Sequence, residues 1–586
     1  MTRTWTSLAL LAVLLILAAS PVLPQIPPDP AILPFSEVRP GLRGTGYTVL
    51  SGDTVSSFEA EVLGTVDQGA AQPRMIICRL SGAGFEQNGV LAAMSGSPIY
   101  VEGRLLGALA YAWPFAKEPV CGVTPAEDMV AIARGGAANS AATGPTTLAD
   151  FFRNLDHARA SSMEASPSGN AVPFPRSGDL QRLSDEGFAW SVDSGAGGAP
   201  APAAPAAPPG PGGMIGVQLV SGDVQMSAYG TVTWVHGQDF LAFGHPFLNL
   251  GEVALPVVGA RVIALVPSLA RGFKLCAPGA PLGAVHQDRA SGVLGRFGDE
   301  APGVDVEAAF ERPGLGKTSY RFRVAKHRQL TPVLLGGALN ALWTAKEDPS
   351  AARTLALTGI VLQPESGHEV RLQDQTFSGT GVFAEAAEYV TSAVELLTNN
   401  PYEPVPLRSV RLSASALPGN RSVVPESAWL DRREVAPGDP LTLSVRLRPF
   451  QAPARIAQVD IPTADLPPGP VTLWVGGSFD VQKRLSASAF ELPQSAPELV
   501  RFMADLPSDE SLVVAAASPS PAKVMQGRRV GGLPPSMDAV LGASPSASAQ
   551  DSPSRVLWRR SAPAGGPVEG MLELTLTVKE VGDHGP

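Results

Sequence analysis

The chain has 586 residues, of which 44% are hydrophobic and 17% are charged, and its net charge is −10 with no cluster of Lys and Arg. This composition indicates a globular protein of several domains and excludes a largely disordered or membrane-embedded chain. Because phosphate binding needs concentrated positive charge, nucleic acid is not an expected partner.

The N-terminus has the order of a secretory signal peptide. Arg3 supplies positive charge, Leu8 to Ala19 is an unbroken apolar run, and Ser20 ends it among small residues. The run is too short to span a bilayer comfortably. We therefore expect residues 1–24 to direct export to the periplasm, cell envelope or extracellular space. An uncleaved membrane anchor is the alternative, and it is the only membrane contact expected.

Composition divides the rest of the chain into five regions. Short apolar and β-branched runs broken by Gly predict strands in most of them, whereas Ser, Gly, Ala and Pro dominate one. The predicted regions are a strand-rich segment over 33–157, a linker or insertion over 158–213, a second strand-rich segment with a trailing helix over 214–400, an immunoglobulin-like β-sandwich over 404–478 and a smaller C-terminal β-rich unit over 479–586.

Local patterns predict individual elements. Thr124 as N-cap, Pro125 at the first position and Glu127 as the capping-box partner predict one helix. One apolar face over Phe383 to Leu397 predicts a second helix. Apolar residues alternate with Arg over 320–324, which is typical of a half-buried strand.

Three cysteines make an odd count with no Cys-x-x-Cys pair. Cys78, Cys121 and Cys276 allow one disulfide after export, but the sequence does not identify its partners. Three small buried thiols are the alternative.

The segment from Asn88 to Tyr100 has the pattern of an exposed nucleophile. A strand leads into a Gly/Pro turn with Ser95 at its tip, and a second strand leaves. A nucleophilic Ser needs an exposed, rigidly aimed Oγ and nearby free backbone N–H groups. Gly96 allows close approach of substrate, and Ser97 and Pro98 support the turn. Taken alone, such a turn is more often structural.

Two stretches resemble one peptidase family. Met94 to Ala108 is similar to the active-site region of the SpoIVB-type serine peptidases, which are sporulation-associated, chymotrypsin-like enzymes. The first Ser of that motif is the family's nucleophile, which implies this role for Ser95. Leu241 to Pro246 resembles the family segment that carries the catalytic His. This resemblance implies that His245 is the base and that Gly244 supports the turn before it.

The order of the two stretches differs from that of the family, in which the His segment precedes the Ser segment. The resemblance therefore implies a circularly permuted chymotrypsin-like double β-barrel, with its nucleophile half over 33–157 and its His half over 214–400. Permutation is compatible with the chemistry, because domain termini often lie close together and a triad is defined by geometry. No PDZ-like segment is found.

Two positions depart from the family pattern. Ala93 stands where the family has Gly, although Ala tolerates positive φ poorly. Leu80 stands where the family has Asp, so the third triad member is missing or replaced. Asp288, in the same half as His245, is a candidate for orienting the imidazole. The alternatives are two other carboxylates, Glu252 and Asp239.

These residues predict an exported serine endopeptidase that works by acyl transfer. His245 takes the proton of Ser95, and backbone N–H groups of Ala93, Met94 and Ser95 hold the oxyanion. His286, beside Asp288, is the runner-up base. The expected substrate is an exported or envelope protein, or a peptide. No metal or other cofactor is expected, since no metal-ligand spacing occurs.

Two other functions remain open. Leu80 and Ala93 favour a non-enzymatic exported scaffold or binding protein that kept the peptidase fold. A third possibility is self-cleavage only, as a maturation step. Cleavage within 158–213 would also separate Ser95 from His245 covalently, which suggests regulation.

Overall fold

The computed structural model describes residues 31–580 except 68, 70–72, 135–144, 164–188, 193–206, 271, 346–352, 488–492, 526–527, 532–533, 535 and 538–549. The predicted signal peptide and most of the predicted linker lie outside the described residues. The described chain is mainly β and contains a closed barrel, which confirms the predicted fold class at that level. No helix in the described part is long and apolar enough to cross a membrane.

The chain divides into two compact units, each made of three sequence segments. Unit 1 comprises residues 1–140, 202–217 and 228–300, and unit 2 comprises 141–201, 218–227 and 301–586. Ser95, His245 and Asp288 all belong to unit 1.

Unit 1 begins with a closed six-stranded barrel in the order β1-β2-β3-β6-β5-β4. Its elements are β1 Arg43–Ser51, β2 Thr54–Val66, β3 Met75–Ser81, α1 Phe85–Asn88, β4 Pro98–Val101, β5 Arg104–Ala112, β6 Val120–Pro125 and α2 Ala126–Ala133. Alternating side chains fill the barrel with a core that includes Phe58, Ile76 and Leu106. Each large apolar side chain buried in this way contributes about 1.5–3 kcal/mol to stability.

The next set of antiparallel strands lies mostly in unit 1, and residues 218–227 of its first two strands belong to unit 2. After α3 Leu148–Met163 and β7 Ala189–Val192 of unit 2, the chain forms β8 Met214–Gly222, β9 Val224–His236, β10 Asp239–Ala242, β11 Gly251–Val266, β12 Phe273–Arg289 and β13 Gly292–Phe297. These six strands follow the order β8-β11-β12-β13-β10-β9, and β9 also pairs with β8. The pairing therefore returns to its first strand.

Unit 2 continues with a sheet in the order β17-β16-β19-β14-β15, with β18 on β16. Two buried helices, α4 and α5, pack against each other beside it. The elements are β14 Gly303–Arg312, β15 Gly316–Ala325, α4 Leu330–Thr344, β16 Arg353–Pro364, β17 Val370–Arg371, β18 Gln375–Gly379, α5 Val382–Thr398 and β19 Leu407–Pro418.

The remainder of unit 2 is a three-stranded sheet, β20-β22-β23, and a six-stranded sheet, β21-β28-β24-β25-β26 with β27 on β25. They share one apolar core. The elements are β20 Val423–Leu430, β21 Glu434–Val435, β22 Thr442–Pro449, β23 Arg455–Asp460, β24 Gly469–Gly477, α6 Ser478–Ala487, α7 Ala496–Ala504, β25 Ser511–Met525, β26 Arg528–Gly531, β27 Gln550–Pro563 and β28 Met571–Val578. Because β24 pairs with β25 and β28, residues on both sides of the predicted boundary after 478 share a sheet.

Local predictions have mixed outcomes. The helix expected over Phe383 to Leu397 is confirmed as α5, and the alternation over 320–324 is confirmed in β15. The capping prediction is wrong. Helix α2 begins at Ala126 without a side-chain cap, because the Thr124 hydroxyl donates to the Gly244 carbonyl oxygen at 2.5 Å instead.

The cysteines are free thiols in the structure. Cys78 and Cys121 lie opposite each other on β3 and β6, both buried, and Cys276 is half-buried. Burial raises the pKa of Cys78 to about 12. The alternative of buried thiols therefore holds for Cys78 and Cys121, whereas Cys276 is only half-buried.

Candidate functional site

Ser95 lies in the connection between β3 and β4, on a turn held by its own backbone. The Met94 N–H donates to the Leu91 carbonyl oxygen at 3.2 Å, and the Ser97 N–H donates to the Met94 carbonyl oxygen at 3.0 Å. The Ser97 hydroxyl donates to the same oxygen at 2.6 Å and is fully buried. Ser97 thus supports the turn, whereas Ser95 is half-buried at its tip.

His245 lies in the connection between β10 and β11. The preceding residues, Phe243 and Gly244, have φ values of 68° and 71°. A Cβ atom on Gly244 would lie 3.0 Å from the Ala108 Cβ on β5. Together with the Thr124 bond to the Gly244 carbonyl, this contact places the His245 segment against the first barrel.

The structure brings the Ser95 and His245 segments together. The Thr231 N–H on β9 donates to the Ser95 carbonyl oxygen at 2.8 Å, and the Thr233 hydroxyl donates to the Gly96 carbonyl oxygen at 2.7 Å. A Cβ atom on Gly96 would lie 1.9 Å from the Thr231 carbonyl oxygen and 2.6 Å from the Phe243 nitrogen. Only glycine fits there, because such distances are far inside van der Waals contact.

The His245 ring is oriented by a backbone carbonyl. Its Nδ1 lies 2.8 Å from the Pro246 oxygen, which can only accept, so Nδ1 carries the proton. In the neutral imidazole Nε2 is then unprotonated, as a general base requires. Among the described residues, no hydrogen bond joins the ring to the Ser95 hydroxyl. Catalytic bonds of this kind are often long before substrate binds.

Asp288 holds the loop after His245 rather than the ring itself. Its fully buried carboxylate accepts backbone N–H groups from Phe247 and Leu248, both at 2.8 Å, and from Leu250 at 3.0 Å. Burial raises its pKa, and these backbone hydrogen bonds oppose the rise. The expected direct contact with the imidazole is thus corrected to an indirect one through the loop, because the Pro246 carbonyl occupies Nδ1.

The other candidate acids and bases lie in ordinary surface or strand settings. Glu252 is exposed on β11, and Asp239 lies 3.6 Å from Arg296. His286, the runner-up base, is 2.8 Å from the Asp299 carboxylate on an exposed face. None of these contacts involves the Ser95 turn.

The predicted oxyanion donors differ in availability. The Met94 N–H is taken up within the turn, and the Gly96 N–H donates to the Leu109 carbonyl oxygen at 2.7 Å. In the part of the chain described here, no backbone hydrogen bond takes up the N–H groups of Ala93 and Ser95. These two groups therefore remain candidate oxyanion donors, and Met94 does not.

The backbone is strained on both sides of the site. Ala93 has a φ of 67°, matched by the 68° of Phe243. The left-handed conformation costs a non-glycine residue roughly 1–2 kcal/mol. Such outliers persist where the surroundings enforce them and cluster at functional sites. Position 93 thus adopts a backbone conformation that favours Gly.

Leu80, at which the sequence resemblance led us to expect a carboxylate, lies inside the first barrel. Its side chain is buried in the barrel core with Phe85 and Met94. This position is apolar and supplies no charge to His245.

Sequence reasoning missed the threonines that join the two segments. Thr124, Thr231 and Thr233 are buried, and each donates a hydroxyl or amide hydrogen across the junction. Buried polar side chains in otherwise apolar strands are a signal for such bonds. Their partners lie more than 100 residues away, so local pattern could not identify them.

The chemistry available here is that of a hydroxyl, an imidazole and two backbone N–H groups. Among the described residues, no group of three or more His, Cys, Asp or Glu side chains is placed to hold a metal ion. No protein-family model, no curated protein and no solved structure matches the chain.

Proposed function

We propose that the protein is a serine endopeptidase in which Ser95 is the nucleophile and His245 is the general base. The observation that carries this proposal is the junction at Gly96, where the Ser95 turn packs directly on the backbone of Thr231 and Phe243. Two loops from different parts of the sequence are thereby fixed side by side, which nucleophilic catalysis requires.

The strand order supports a permuted double-barrel peptidase. The Ser95 turn connects strands of the closed barrel β1 to β6, and the His245 loop connects two of the six strands whose pairing runs from β8 back to β8. Two antiparallel six-strand sets, each giving one catalytic loop, match the architecture implied by the resemblance to SpoIVB-type peptidases.

The proposed mechanism is acyl transfer through an acyl-enzyme. His245 Nε2 takes the Ser95 hydroxyl proton as Oγ attacks the scissile carbonyl, and the N–H groups of Ala93 and Ser95 stabilise the oxyanion. The imidazolium then protonates the leaving amine, and water releases the acyl group by the same route. The Pro246 carbonyl holds the base throughout, in the place that a carboxylate has in a triad.

A polypeptide substrate is supported by exposed apolar side chains on two hairpins. Trp113 and Phe115 follow β5, where the Tyr111 ring centroid lies 6.3 Å from that of His245. Phe273 begins β12, next to Gly272, whose carbonyl accepts the Ala92 N–H three residues before Ser95. Exposed apolar surface beside a reactive group suits an exported or envelope protein in extended form.

A fluorophosphonate probe tests the proposal. Wild type should be labelled at Ser95, and Ser95→Ala and His245→Ala should not be labelled while keeping the wild-type circular dichroism spectrum. His286→Ala is the matched control, because this imidazole lies on an exposed face and should leave labelling unchanged. Labelling that persists in Ser95→Ala would contradict the assignment.

A non-enzymatic scaffold is the second candidate. Two observations favour it: an apolar Leu80 in the barrel core and no Ser95–His245 hydrogen bond among the described residues. It predicts no labelling of well-folded wild type. Self-cleavage alone predicts a processed wild-type chain and an unprocessed Ser95→Ala chain.

A further inference from the structure

Lys274 is a buried lysine in unit 1 that the proposed mechanism does not use. It is 4% exposed, and its Nζ donates to the Thr48 hydroxyl oxygen at 2.8 Å and to the Met214 sulfur at 3.5 Å. Thr48 and Met214 are themselves buried. A buried amine with two neutral partners is costly and needs a reason.

The main chain of Lys274 contacts the loop that leads to Ser95. The Lys274 N–H donates to the Ala92 carbonyl oxygen at 3.2 Å, and the Ala92 N–H donates to the Gly272 carbonyl oxygen at 2.8 Å. Two backbone hydrogen bonds from the start of β12 therefore hold Ala92, three residues before Ser95.

The side chain of Lys274 reaches the same turn through Met214. The Met214 sulfur also accepts the Thr231 hydroxyl at 3.7 Å. That hydroxyl lies 3.4 Å from the Ala93 carbonyl oxygen, and the Thr231 N–H donates to the Ser95 carbonyl oxygen. A continuous chain of contacts thus runs from the buried amine to both sides of the turn.

We propose that Lys274 is a positioning residue for the nucleophile, whose amine fixes Thr48 and Met214 and thereby sets the geometry of the turn from Ala93 to Ser97. The catalytic meaning of this role rests on the proposed peptidase function. The positioning itself is a property of the fold and can be measured without catalysis.

The protonation state of Lys274 should govern how tightly the turn is held. A neutral amine has two N–H groups, which match Thr48 and Met214, whereas an ammonium adds a third N–H and a buried charge. Burial lowers the pKa of Lys274 to about 7, so both forms are populated near neutral pH.

The surroundings of Lys274 identify the groups that could compete with it. Its neighbours on β1, β8 and β11 are Thr48, Met214 and Leu265, none of which titrates. The titratable side chains of the adjoining cluster are Cys276 and Tyr229. Burial raises the pKa of Cys276 to about 11, so this thiol is neutral near pH 7.

Lys274→Met tests the proposal by two readouts. Hydrogen–deuterium exchange followed by mass spectrometry should show about tenfold faster exchange in peptides covering 91–97 and 228–233. Fluorophosphonate labelling of Ser95 should slow by about tenfold. In wild type, protection of these peptides relative to intrinsic exchange should fall as pH drops through about 7, and the variant should lose this dependence.

The matched control is Lys523→Met, which replaces another buried lysine, in unit 2, and should leave both peptides and labelling unchanged. A Lys274→Met protein with wild-type exchange and wild-type labelling at every pH would overturn the proposal. If wild type itself is not labelled, the peptidase proposal fails. The hydrogen–deuterium exchange of Lys274→Met then still tests whether Lys274 positions the turn.

Thr48 provides a second route if Lys274→Met does not fold. Thr48→Val removes the hydroxyl acceptor, and Thr48→Ser keeps it. Faster exchange over 91–97 in the Val variant, with rescue in the Ser variant, supports positioning by the amine. Equal exchange in both variants would refute it.

Discussion

The titration of Lys274 makes a stability prediction that is independent of catalysis. Its folded pKa is about 7, whereas that of an unfolded lysine is about 10.4. Between these values the unfolded chain binds a proton that the folded chain does not, so stability rises with pH. The free energy of unfolding of wild type relative to Lys274→Met should rise by on the order of 3 kcal/mol between about pH 7 and pH 9.5.

Urea unfolding at several pH values measures this difference. The comparison with Lys274→Met removes the contributions of the thiols and tyrosines, which are common to both proteins. A difference that stays constant across the range would mean that the amine is not neutral in the folded state.

Replacing Ala93 with glycine should increase the stability of the folded protein. Its φ of 67° is strained for a residue with a Cβ, so Ala93→Gly should raise the free energy of unfolding by about 0.5–1 kcal/mol after the entropic cost of Gly. The neighbouring Ala92→Gly has no positive φ to relieve and should lower stability by about the same amount. Thermal unfolding of the two variants would contradict this explanation if both were destabilised equally.

Asp288 should affect both stability and activity through its loop. Asp288→Ala leaves three backbone N–H groups, one buried and two partly buried, without their acceptor, which should cost about 3 kcal/mol. Because the loop carries Pro246, labelling of Ser95 should also slow at least about tenfold. Asp299→Ala, at an exposed carboxylate, is the control, and similar effects in both variants would exclude a specific role for the loop.

At the scale of elements, the close packing of the Ser95 turn on β9 can be tested by adding one methyl group to the turn. Gly96→Ala places a Cβ 1.9 Å from the Thr231 carbonyl oxygen, so the two backbones must separate. Gly103 also has positive φ, but its Cβ would meet nothing within 4 Å. Gly96→Ala should therefore abolish fluorophosphonate labelling, whereas Gly103→Ala should cost only about 1 kcal/mol of stability and keep labelling.

This pair separates steric contact from backbone conformation. Loss of labelling in both variants would point to strain at positive φ as the cause. Retained labelling in Gly96→Ala would show that the junction with β9 is not needed to present Ser95.

The elements that could be predicted from sequence are those whose pattern is local. The alternation over 320–324 and the apolar face of α5 follow from periods of two and 3.6 residues, and both are present. The Thr124 capping box failed because the hydroxyl has a partner 120 residues away. The shared sheet across residue 478 was missed for the same reason, since strand pairing between distant segments leaves no local pattern.

In the candidate site too, only features with a local sequence pattern could be predicted. Ser95 and Gly96 were predicted from a short turn pattern, and His245 was predicted from the family resemblance proposed for its segment. The orienting carbonyl of Pro246 is a backbone group that every residue has. In the sequence, nothing distinguishes Lys274 from any other lysine. Only the burial of its side chain in the folded protein makes it unusual.

At the scale of the whole molecule, a cut in the Ala/Pro/Ser-rich region should not separate the two halves of unit 1. The barrel precedes this region and β8 to β13 follow it, and they are joined by the bonds of Thr124, Thr231 and Thr233. A protease site inserted within 193–206 should therefore give a nicked protein that elutes as one particle and keeps Ser95 labelling.

Gel filtration and labelling of cut and uncut protein check this prediction. Separation into two fragments under native conditions would contradict it. Equal labelling of both forms would show that cleavage in this region does not regulate the site.

The hydrogen bond between Thr233 and Gly96 joins residues that are 137 positions apart in the sequence. This separation determines how long after the Ser95 turn its partner strand is synthesised. A ribosome adds roughly 5–20 residues per second, so the hydroxyl of Ser95 emerges on the order of ten seconds before the strand that fastens its turn. The growing chain thus carries the Ser95 turn without the His245 loop until β9 and β10 are made. Under the proposed peptidase function, Ser95 would have no general base, and would not cleave the nascent chain, until the second half has been translated.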